Sequence, residues 1–231
     1  MMSRFPYLKN FLNLFFPDLC VVCRRALMED ETYFCLDCSL ALPETDYHRI
    51  PDNPAMDRFA GKIVLQKATS YLYYNKSGIG PKVIGEIKYR GNKDFGFWLG
   101  AFYADILSSS CFLGDIDRIV PVPLHPFKQW KRGFNQAERI AAGISRSSGI
   151  PLESGVLVRA RANPTQTRKS LFERWMNTRD VFSLKNTDRL EGKHILLVDD
   201  VLTTGSTLEA AAGSLLEIRD LKVSILTLAI A

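Results

Sequence analysis

Two adjacent carboxylates, Asp199 and Asp200, follow a short apolar run and precede a segment of small hydroxyl-bearing residues. The apolar run at residues 195–198 predicts a buried strand, and the pattern after Gly205 predicts a helix with a capping box from Ser206 to Glu209. Backbone amides at the beginning of a helix attract a phosphate, because the helix dipole is positive there. The sequence therefore predicts a sugar-phosphate site at the carboxyl end of a strand.

Four cysteines near the amino terminus form two CxxC pairs, Cys20 with Cys23 and Cys35 with Cys38, and eleven residues separate the pairs. Two such knuckles can place four thiolates tetrahedrally around one zinc ion. Disulfide bonds or unligated thiols are the alternatives, and disulfides are disfavoured in a reducing compartment. The spacing predicts a structural zinc ion that stabilises a small ribbon, with no coordination position left for catalysis.

The composition is that of a water-soluble globular protein, with 231 residues of which 46% are hydrophobic and 24% charged. Because no apolar run approaches the roughly 20 residues of a membrane span, we expect a cytoplasmic protein without one. Leu8, Phe11, Leu12 and Phe15 recur at helical spacing. They predict an amphipathic helix that packs on the body of the protein, with a signal peptide or membrane-surface binding as alternatives.

The positive charge is concentrated in one part of the chain. The net charge is +5, but residues 118–179 contain twelve basic and three acidic residues and so carry +9, against −4 elsewhere. Lys131, Arg132, Arg161, Arg168 and Arg174 fall in predicted loops. A solvated surface is the simplest explanation, but basic loops beside strands favour a polyanion, either a pyrophosphate or a nucleic-acid backbone.

The predicted elements favour an α/β fold. Residues 62–74 predict paired strands, followed by helices at 82–89 and 94–107. Further strands at 118–122, 152–158, 195–198 and 223–230 alternate with helices at 135–147 and 206–218, the first with Asn135 as its N-cap. Such alternation predicts a mostly parallel sheet with helices on both faces. We expect residues 1–50 to form the N-terminal helix and cysteine ribbon, and residues 51–231 the α/β domain.

Several motifs together resemble a known family. The sequence VDDVLTTGST at residues 198–207 resembles the signature with which type I phosphoribosyltransferases bind 5-phosphoribosyl-1-pyrophosphate (PRPP). The CxxC pairs, IKY at 87–89, VPVPL at 120–124, RGFNQ at 132–136 and the spaced residues Arg161, Gln166, Arg174 and Asn177 resemble the ComF family. ComF proteins are bacterial phosphoribosyltransferase-like proteins associated with DNA uptake in natural transformation. The resemblance extends from about Phe15 to the carboxyl terminus.

The resemblance implies a role for each part of the site. Asp199 and Asp200 would be the catalytic pair, binding the ribose hydroxyls directly or through Mg²⁺, a cation that prefers oxygen ligands. The implied PRPP-binding residues lie in two loops: Thr203, Thr204, Gly205, Ser206 and Thr207 for the 5′-phosphate, and Pro121, Val122 and Pro123 for the pyrophosphate. The implied lid or anion-binding residues are Lys131, Arg132, Arg161, Arg168 and Arg174.

Two classes of function remain open at the sequence level. The first is an enzyme that transfers a phosphoribosyl group in DNA uptake or nucleotide salvage. The second is a catalytically silent PRPP or nucleotide sensor, or a single-stranded DNA-binding adaptor among competence proteins. Thr203 stands where purine-salvage enzymes carry an aspartate, which leaves the position of the candidate base without a carboxylate. Aromatic residues interleaved with basic ones, such as Phe127 and Trp130 beside Lys131, favour nucleic acid, because aromatic rings stack on bases.

Overall fold

The computed structural model describes residues 17–89, 91–159 and 181–231. The predicted N-terminal amphipathic helix lies outside the described residues. So do the predicted lid residues Arg161, Arg168 and Arg174. None of the helices in the described part of the chain has the length and apolar character that a membrane span requires.

The centre of the fold is a four-stranded sheet in which every pairing is parallel. It contains β1 (Ala68–Tyr73), β2 (Arg118–Pro121), β5 (His194–Leu202) and β6 (Lys222–Ile230), in the order β1-β6-β5-β2. Two further strands, β3 (Leu157–Arg159) and β4 (Phe182–Leu184), form a separate antiparallel pair. The prediction of a mostly parallel sheet is confirmed.

Helices cover both faces of the sheet. The helices of the described residues are α1 (Leu36–Leu40), α2 (Pro54–Asp57), α3 (Ile79–Tyr89), α4 (Lys93–Ser108), α5 (Pro126–Arg132), α6 (Gln136–Ser148) and α7 (Ser206–Leu215), with short 3₁₀ helices at Tyr47–Arg49 and Thr187–Arg189. In β5, Leu196 and Val198 join the hydrophobic cluster under α3, α4 and α6. Ile195 and Leu197 join the cluster on the other face, which includes residues of α7. The continuous apolar run in β5 is therefore explained by burial on both faces.

The structure differs from the predicted elements in three places. Residues 62–67 contain no strand, although their side chains alternate between exposed and half-buried, and only Gln66 and Lys67 among them hydrogen-bond to the β6 backbone before β1 begins. Residues 152–158 were predicted to form one strand, but they contain a single bridge from Leu152 to Ile119 before β3 begins. The loop predicted around Lys131 and Arg132 contains α5, which begins with a proline and is followed by a left-handed glycine, both ordinary helix-boundary signals.

Helices α4 and α6 pack through two glycines. A Cβ atom on Gly100 would lie 2.2 Å from the carbonyl oxygen of Ile140, and one on Gly143 would lie 1.9 Å from that of Phe97. Any larger residue would push the helices apart, since backbone atoms cannot move aside cheaply. This close contact fixes α6, whose amino terminus contributes to the site described below.

The cysteine segment packs on the α/β part of the chain. Tyr33 and Phe34 contact Phe95 and Trp98 of α4, with ring centroids 5.0 to 5.8 Å apart. Arg24 forms an ion pair of 2.6 Å with Glu86 of α3. Buried residues of the segment belong to the same hydrophobic cluster as α3 and α4, so the two parts share one core.

Candidate functional site

Asp199 and Asp200 lie near the end of β5, at the edge where the parallel strands finish, which we call the carboxyl edge. The Asp199 carboxylate accepts a hydrogen bond of 2.8 Å from the backbone amide of Asp200. Burial, together with the neighbouring Asp200 charge, raises the pKa of Asp199 to about 7. Two carboxylates held this close repel each other, and a ligand that brings cations or hydroxyl donors relieves that repulsion.

Two basic side chains offset the acidic pair. Lys88, in the last turn of α3, places its Nζ 3.0 Å from Oδ1 of Asp200, and the side chains are only 20% and 14% exposed. The charges of Lys88 and of Arg159 in β3 both act to lower the pKa of Asp199, but they do not outweigh burial and Asp200. The site therefore combines both signs of charge within one partly buried volume.

The predicted phosphate loop leads directly into α7. Gly205 precedes the helix with φ of +83°, a left-handed conformation that favours glycine. Thr204 Oγ1 lies 3.0 Å from Ser206 Oγ and accepts from the Ser206 amide at 3.4 Å. The predicted capping box is wrong, because Ser206 already lies inside the helix and Glu209 instead approaches Lys62 at 3.7 Å. Hydroxyls and amides still converge at the amino terminus of α7, as an anion site requires.

Asn135 joins a second loop to the site. Its Oδ1 accepts from the amide of Ala137 at 3.2 Å, which confirms the predicted N-cap of α6. Its Nδ2 donates to the carbonyl oxygen of Val122 at 3.0 Å. One buried side chain thus fixes the loop after β2 against the beginning of α6, and both elements open toward Asp199.

These elements enclose a pocket of about 360 Å³ at the carboxyl edge. Of the predicted site residues, its lining contains Asp199, Asp200, Thr203, Thr207, Val122, Pro123 and Arg132. Five others do not line the pocket themselves: Pro121, Thr204, Ser206 and Lys131 are each next to a lining residue in the chain, and Gly205 lies between Thr204 and Ser206. The structure therefore brings both predicted loops and the acidic pair to one volume.

The pocket also contains residues that the sequence did not single out as site residues. Lys88 lines the pocket together with Tyr74, Gln136 and Arg159. The position of Lys88 in the IKY motif was the available signal. His125, which follows the loop after β2, is not among the lining residues and caps α5 by accepting from the amide of Phe127 at 3.3 Å.

A second and larger cavity lies away from the acidic pair. It measures about 440 Å³ and is lined by residues from three segments, which include His48 in the first 3₁₀ helix, Lys67 just before β1 and Cys111 after α4. The described residues that line it include no carboxylate. Size alone favours this cavity, but the convergence of charged and hydroxyl groups favours the smaller pocket as the candidate ligand site.

The four predicted cysteines form a cluster that can hold a metal ion such as zinc. All four Sγ atoms lie within 4.8 Å of one another, and those of Cys23 and Cys35 are 3.6 Å apart. Tetrahedral zinc–thiolate geometry requires a separation of about 3.8 Å. Burial opposes ionisation of Cys20, but backbone hydrogen bonds from Cys23 and Cys35 lower the pKa of its thiol to about 6. The donor set fits a soft, thiolate-binding cation.

Comparison with known proteins gives a family model and several relatives. The family model "Phosphoribosyl transferase domain" matches residues 130–230. Competence protein F of Haemophilus influenzae is 40% identical over 93 residues, which is 40% of this chain and 41% of that protein. Competence protein ComFC of Bacillus subtilis is 31% identical over 211 residues, covering 89% of this chain and 82% of that protein.

A solved structure also aligns with the chain. Glutamine PRPP amidotransferase from B. subtilis aligns with a TM-score of 0.39 and 25% identity, over 56% of this chain and 25% of that one. The match to competence protein F spans about two fifths of that relative, whereas the match to ComFC spans most of both chains.

Proposed function

The chain belongs to the ComF family, with a phosphoribosyltransferase-like domain, and we propose that it binds PRPP together with Mg²⁺ in the pocket at the carboxyl edge. One observation carries the proposal. The acidic pair, the amino terminus of α7 and the loop after β2 surround a single volume of about 360 Å³. That volume lies in the range of small-molecule sites, and its groups match a ribose, a phosphate and a pyrophosphate.

Each group of the pocket has a proposed task. Asp199 and Asp200 accept hydrogen bonds from the ribose hydroxyls or coordinate Mg²⁺, for which carboxylate oxygens are suitable ligands. Residues 203–207 bind the 5′-phosphate through amides and hydroxyls. Residues 121–123 and Arg132 bind the pyrophosphate, with Lys131 and the basic residues at 161, 168 and 174 as further anion contacts. Mg²⁺, when bound, would neutralise phosphate charge.

Transfer of the phosphoribosyl group is the enzymatic form of this function. The residues would position PRPP, neutralise the departing pyrophosphate and exclude water, because the transition state resembles an oxocarbenium ion. Thr203 provides no carboxylate to accept a proton from an incoming base. The lining of the pocket therefore supports binding of PRPP more directly than it supports turnover. Turnover would serve DNA uptake or nucleotide salvage. The alternative is a catalytically silent PRPP or nucleotide sensor.

A calorimetric titration tests the binding. PRPP with Mg²⁺ is titrated into the wild-type protein and into Asp199→Asn/Asp200→Asn, with Asp188→Asn as a control on an exposed acid outside the pocket. We expect saturable binding by the wild type and the control and a loss of on the order of tenfold or more in the double variant, since charged hydrogen bonds are removed. Absence of binding by the wild type would refute the proposal.

Turnover needs a separate assay. Release of pyrophosphate from PRPP is measured with a panel of nucleobases as acceptors, using Asp200→Asn as the inactive reference. If PRPP binds but no base supports release, the sensor alternative replaces the enzyme.

Single-stranded DNA is the second candidate ligand, because an aromatic and basic surface adjoins the pocket. Tyr89, Phe127 and Trp130 are 80%, 65% and 81% exposed, and the Arg132 guanidinium lies 5.8 Å from the centre of the Tyr89 ring. Exposed rings next to cations stack on bases and bind phosphates. An adaptor role with competence proteins would follow from this surface.

Salt dependence tests the DNA candidate. Binding of a labelled oligonucleotide should weaken steeply with salt, and the slope should fall in Lys131→Ala/Arg132→Ala. The matched control is Lys193→Ala/Lys222→Ala, which removes two lysines at the opposite edge of the sheet. If the salt dependence of DNA binding has the same slope in the two double variants, this surface is not the DNA-binding site.

The cysteine cluster has a proposed structural role. We assign it a zinc ion that stabilises a ribbon within residues 1–50, with residues 51–231 as the phosphoribosyltransferase-like domain. A reducing compartment, the cytoplasm, suits four free thiols at this separation. Metal analysis of the purified protein and of Cys23→Ser/Cys35→Ser tests the assignment, with about one zinc per wild-type chain as the expected result.

A further inference from the structure

The ion pair between Lys88 and Asp200 bears on how a metal ion enters the pocket. Nζ of Lys88 lies 3.0 Å from Oδ1 of Asp200, and neither side chain is more than one fifth exposed. A pair at this distance occupies a carboxylate oxygen that a metal ion would otherwise coordinate. Because water reaches the pair only in part, the attraction is stronger than in an exposed pair.

Packing of α3 fixes the position of Lys88. At the beginning of the helix, a Cβ atom on Gly80 would lie 2.6 Å from the carbonyl oxygen of Tyr73, so α3 lies directly against the end of β1. Near the other end, Ile87 is fully buried in the core beside the lysine. The fold therefore holds the Lys88 ammonium over the acidic pair, and Lys88 is not a freely moving surface side chain.

A bare divalent cation meets an unfavourable arrangement in this pocket. To coordinate Oδ1 of Asp200 it must displace the ammonium, and at either carboxylate oxygen it lies beside Lys88, with Arg159 and Arg132 also lining the pocket. A cation that arrives bound to a pyrophosphate brings excess negative charge. The ammonium of Lys88 can then donate to phosphate oxygens when it leaves the carboxylate, which compensates for the lost ion pair.

We propose that Lys88 is a positioning residue that excludes free Mg²⁺ from Asp200, so that the metal enters only as a chelate with a phosphorylated ligand. The inference rests on the proposed function, because it concerns the metal that accompanies PRPP. It assigns the pocket an order of events: Asp200 stays paired with Lys88 until a complex of metal and polyphosphate arrives, and the metal then takes the place of the ammonium at this carboxylate.

Metal binding without PRPP tests the proposal. Mn²⁺, an oxygen-seeking ion whose free form is counted by electron paramagnetic resonance, is titrated into zinc-loaded wild type, Lys88→Met and Lys88→Gln. Lys82→Met, which removes an exposed lysine from the same helix, is the control. We expect both Lys88 variants to bind Mn²⁺ on the order of tenfold more tightly than wild type, since a neighbouring cation is removed. Lys82→Met should match wild type.

The gain in affinity separates positioning from damage, because a misfolded variant would lose metal binding. Repeating the titration in an Asp200→Asn background should abolish the gain. Equal Mn²⁺ affinity in wild type and both Lys88 variants would overturn the proposal, as would the same gain in Lys82→Met. PRPP binding to the wild type with Mg²⁺ is measured in parallel: its absence refutes the proposed function, whereas unchanged Mn²⁺ binding beside normal PRPP binding refutes only the role of Lys88.

Discussion

The two edges of the four-stranded sheet differ in how their ionisable side chains are paired. At the amino edge, where the strands begin, His194 lies 3.4 Å from Asp115 through Nδ1 and 2.9 Å from the Ser224 hydroxyl through Nε2. Lys67 completes this group with an ion pair to Asp115. At the carboxyl edge, Lys88 forms an ion pair with Asp200, and the adjacent Asp199 keeps a raised pKa although the charges of Lys88 and Arg159 act to lower it. Stabilising pairs occupy one edge, and an incompletely neutralised charge cluster occupies the other.

The difference follows from what each edge must do. His194 and Ser224 are buried, and a buried polar group needs a partner to avoid a desolvation cost. The Lys67 ammonium, against the opposing effect of burial, keeps the pKa of Asp115 below its usual range, so the amino edge stabilises the fold. A binding pocket instead keeps groups ready for a ligand, and that arrangement costs stability until the ligand arrives.

The largest expected effect comes from the helix packing that supports the pocket. We expect Gly143→Ala to lower the free energy of unfolding by about 3 kcal/mol, because the new Cβ would lie 1.9 Å from the Phe97 carbonyl oxygen. Gly213→Ala in α7 is the control, since no atom lies within 4 Å of its Cβ position, and it should gain about 0.5 kcal/mol. Urea unfolding of both variants measures the difference, and equal stability would contradict the close packing.

A smaller loss is expected when the amino edge is broken. His194→Leu should lower the free energy of unfolding by about 2 kcal/mol, because it leaves the buried Ser224 hydroxyl without its imidazole partner. Adding Ser224→Ala should recover part of the loss, since both polar partners are then gone. If His194→Leu unfolds at the same urea concentration as wild type, the pairing at this edge does not stabilise the fold.

The opposite sign is expected at the carboxyl edge. Asp199→Asn should raise the free energy of unfolding by about 1–2 kcal/mol near pH 7.5 in Mg²⁺-free buffer, because it removes a carboxylate whose ionisation the folded state disfavours. The expected gain in stability is smaller than the raised pKa alone would give, because water still reaches part of the Asp199 side chain. A loss of stability in Asp199→Asn would contradict the contrast between the edges.

The two edges should also respond oppositely to pH. The pKa of Asp199 is raised in the folded protein, so its contribution to stability falls as pH rises from about 4 to about 7. Burial lowers the pKa of His194, so the folded protein disfavours its charged form, and its contribution falls as pH drops below about 6.5. Urea unfolding at several pH values measures both trends. In His194→Leu only the fall in stability between about pH 4 and about pH 7 should remain, and in Asp199→Asn that fall should be absent.

How much of the site the sequence predicts depends on how local each signal is. The Asp199–Thr207 segment and the Asn135 cap are set by neighbouring residues along the chain, and the structure contains the predicted strand, loop and N-cap. The role of Lys88 depends on α3 packing beside β5, a contact between residues more than a hundred positions apart. Periodicity alone does not specify which charge a distant helix brings to a strand end.

The same distinction explains the errors in the predicted elements. The side chains of residues 62–67 alternate between exposed and half-buried, but a strand also needs a partner backbone, and within this segment only Gln66 and Lys67 hydrogen-bond to β6. The helix α5 carries local boundary signals, a proline at its beginning and Gly133 after its end, that were available in the sequence. The basic residues Lys131 and Arg132 are typical of a loop, and this composition masks the two boundary signals.

The smallest expected effect concerns an exposed ion pair at the amino edge, which should contribute little to the free energy of unfolding. Arg219 and Glu191 lie in the turns before β6 and β5 and form an ion pair of 2.9 Å, but their side chains are 77% and 51% exposed. Because water screens such a pair and both chains lose freedom on pairing, Arg219→Ala should change the free energy of unfolding by about 0.5 kcal/mol or less. Urea unfolding at low and high salt measures it. A loss equal to that of His194→Leu would mean that surface charge, and not the buried pairing of His194 with Ser224, stabilises this edge.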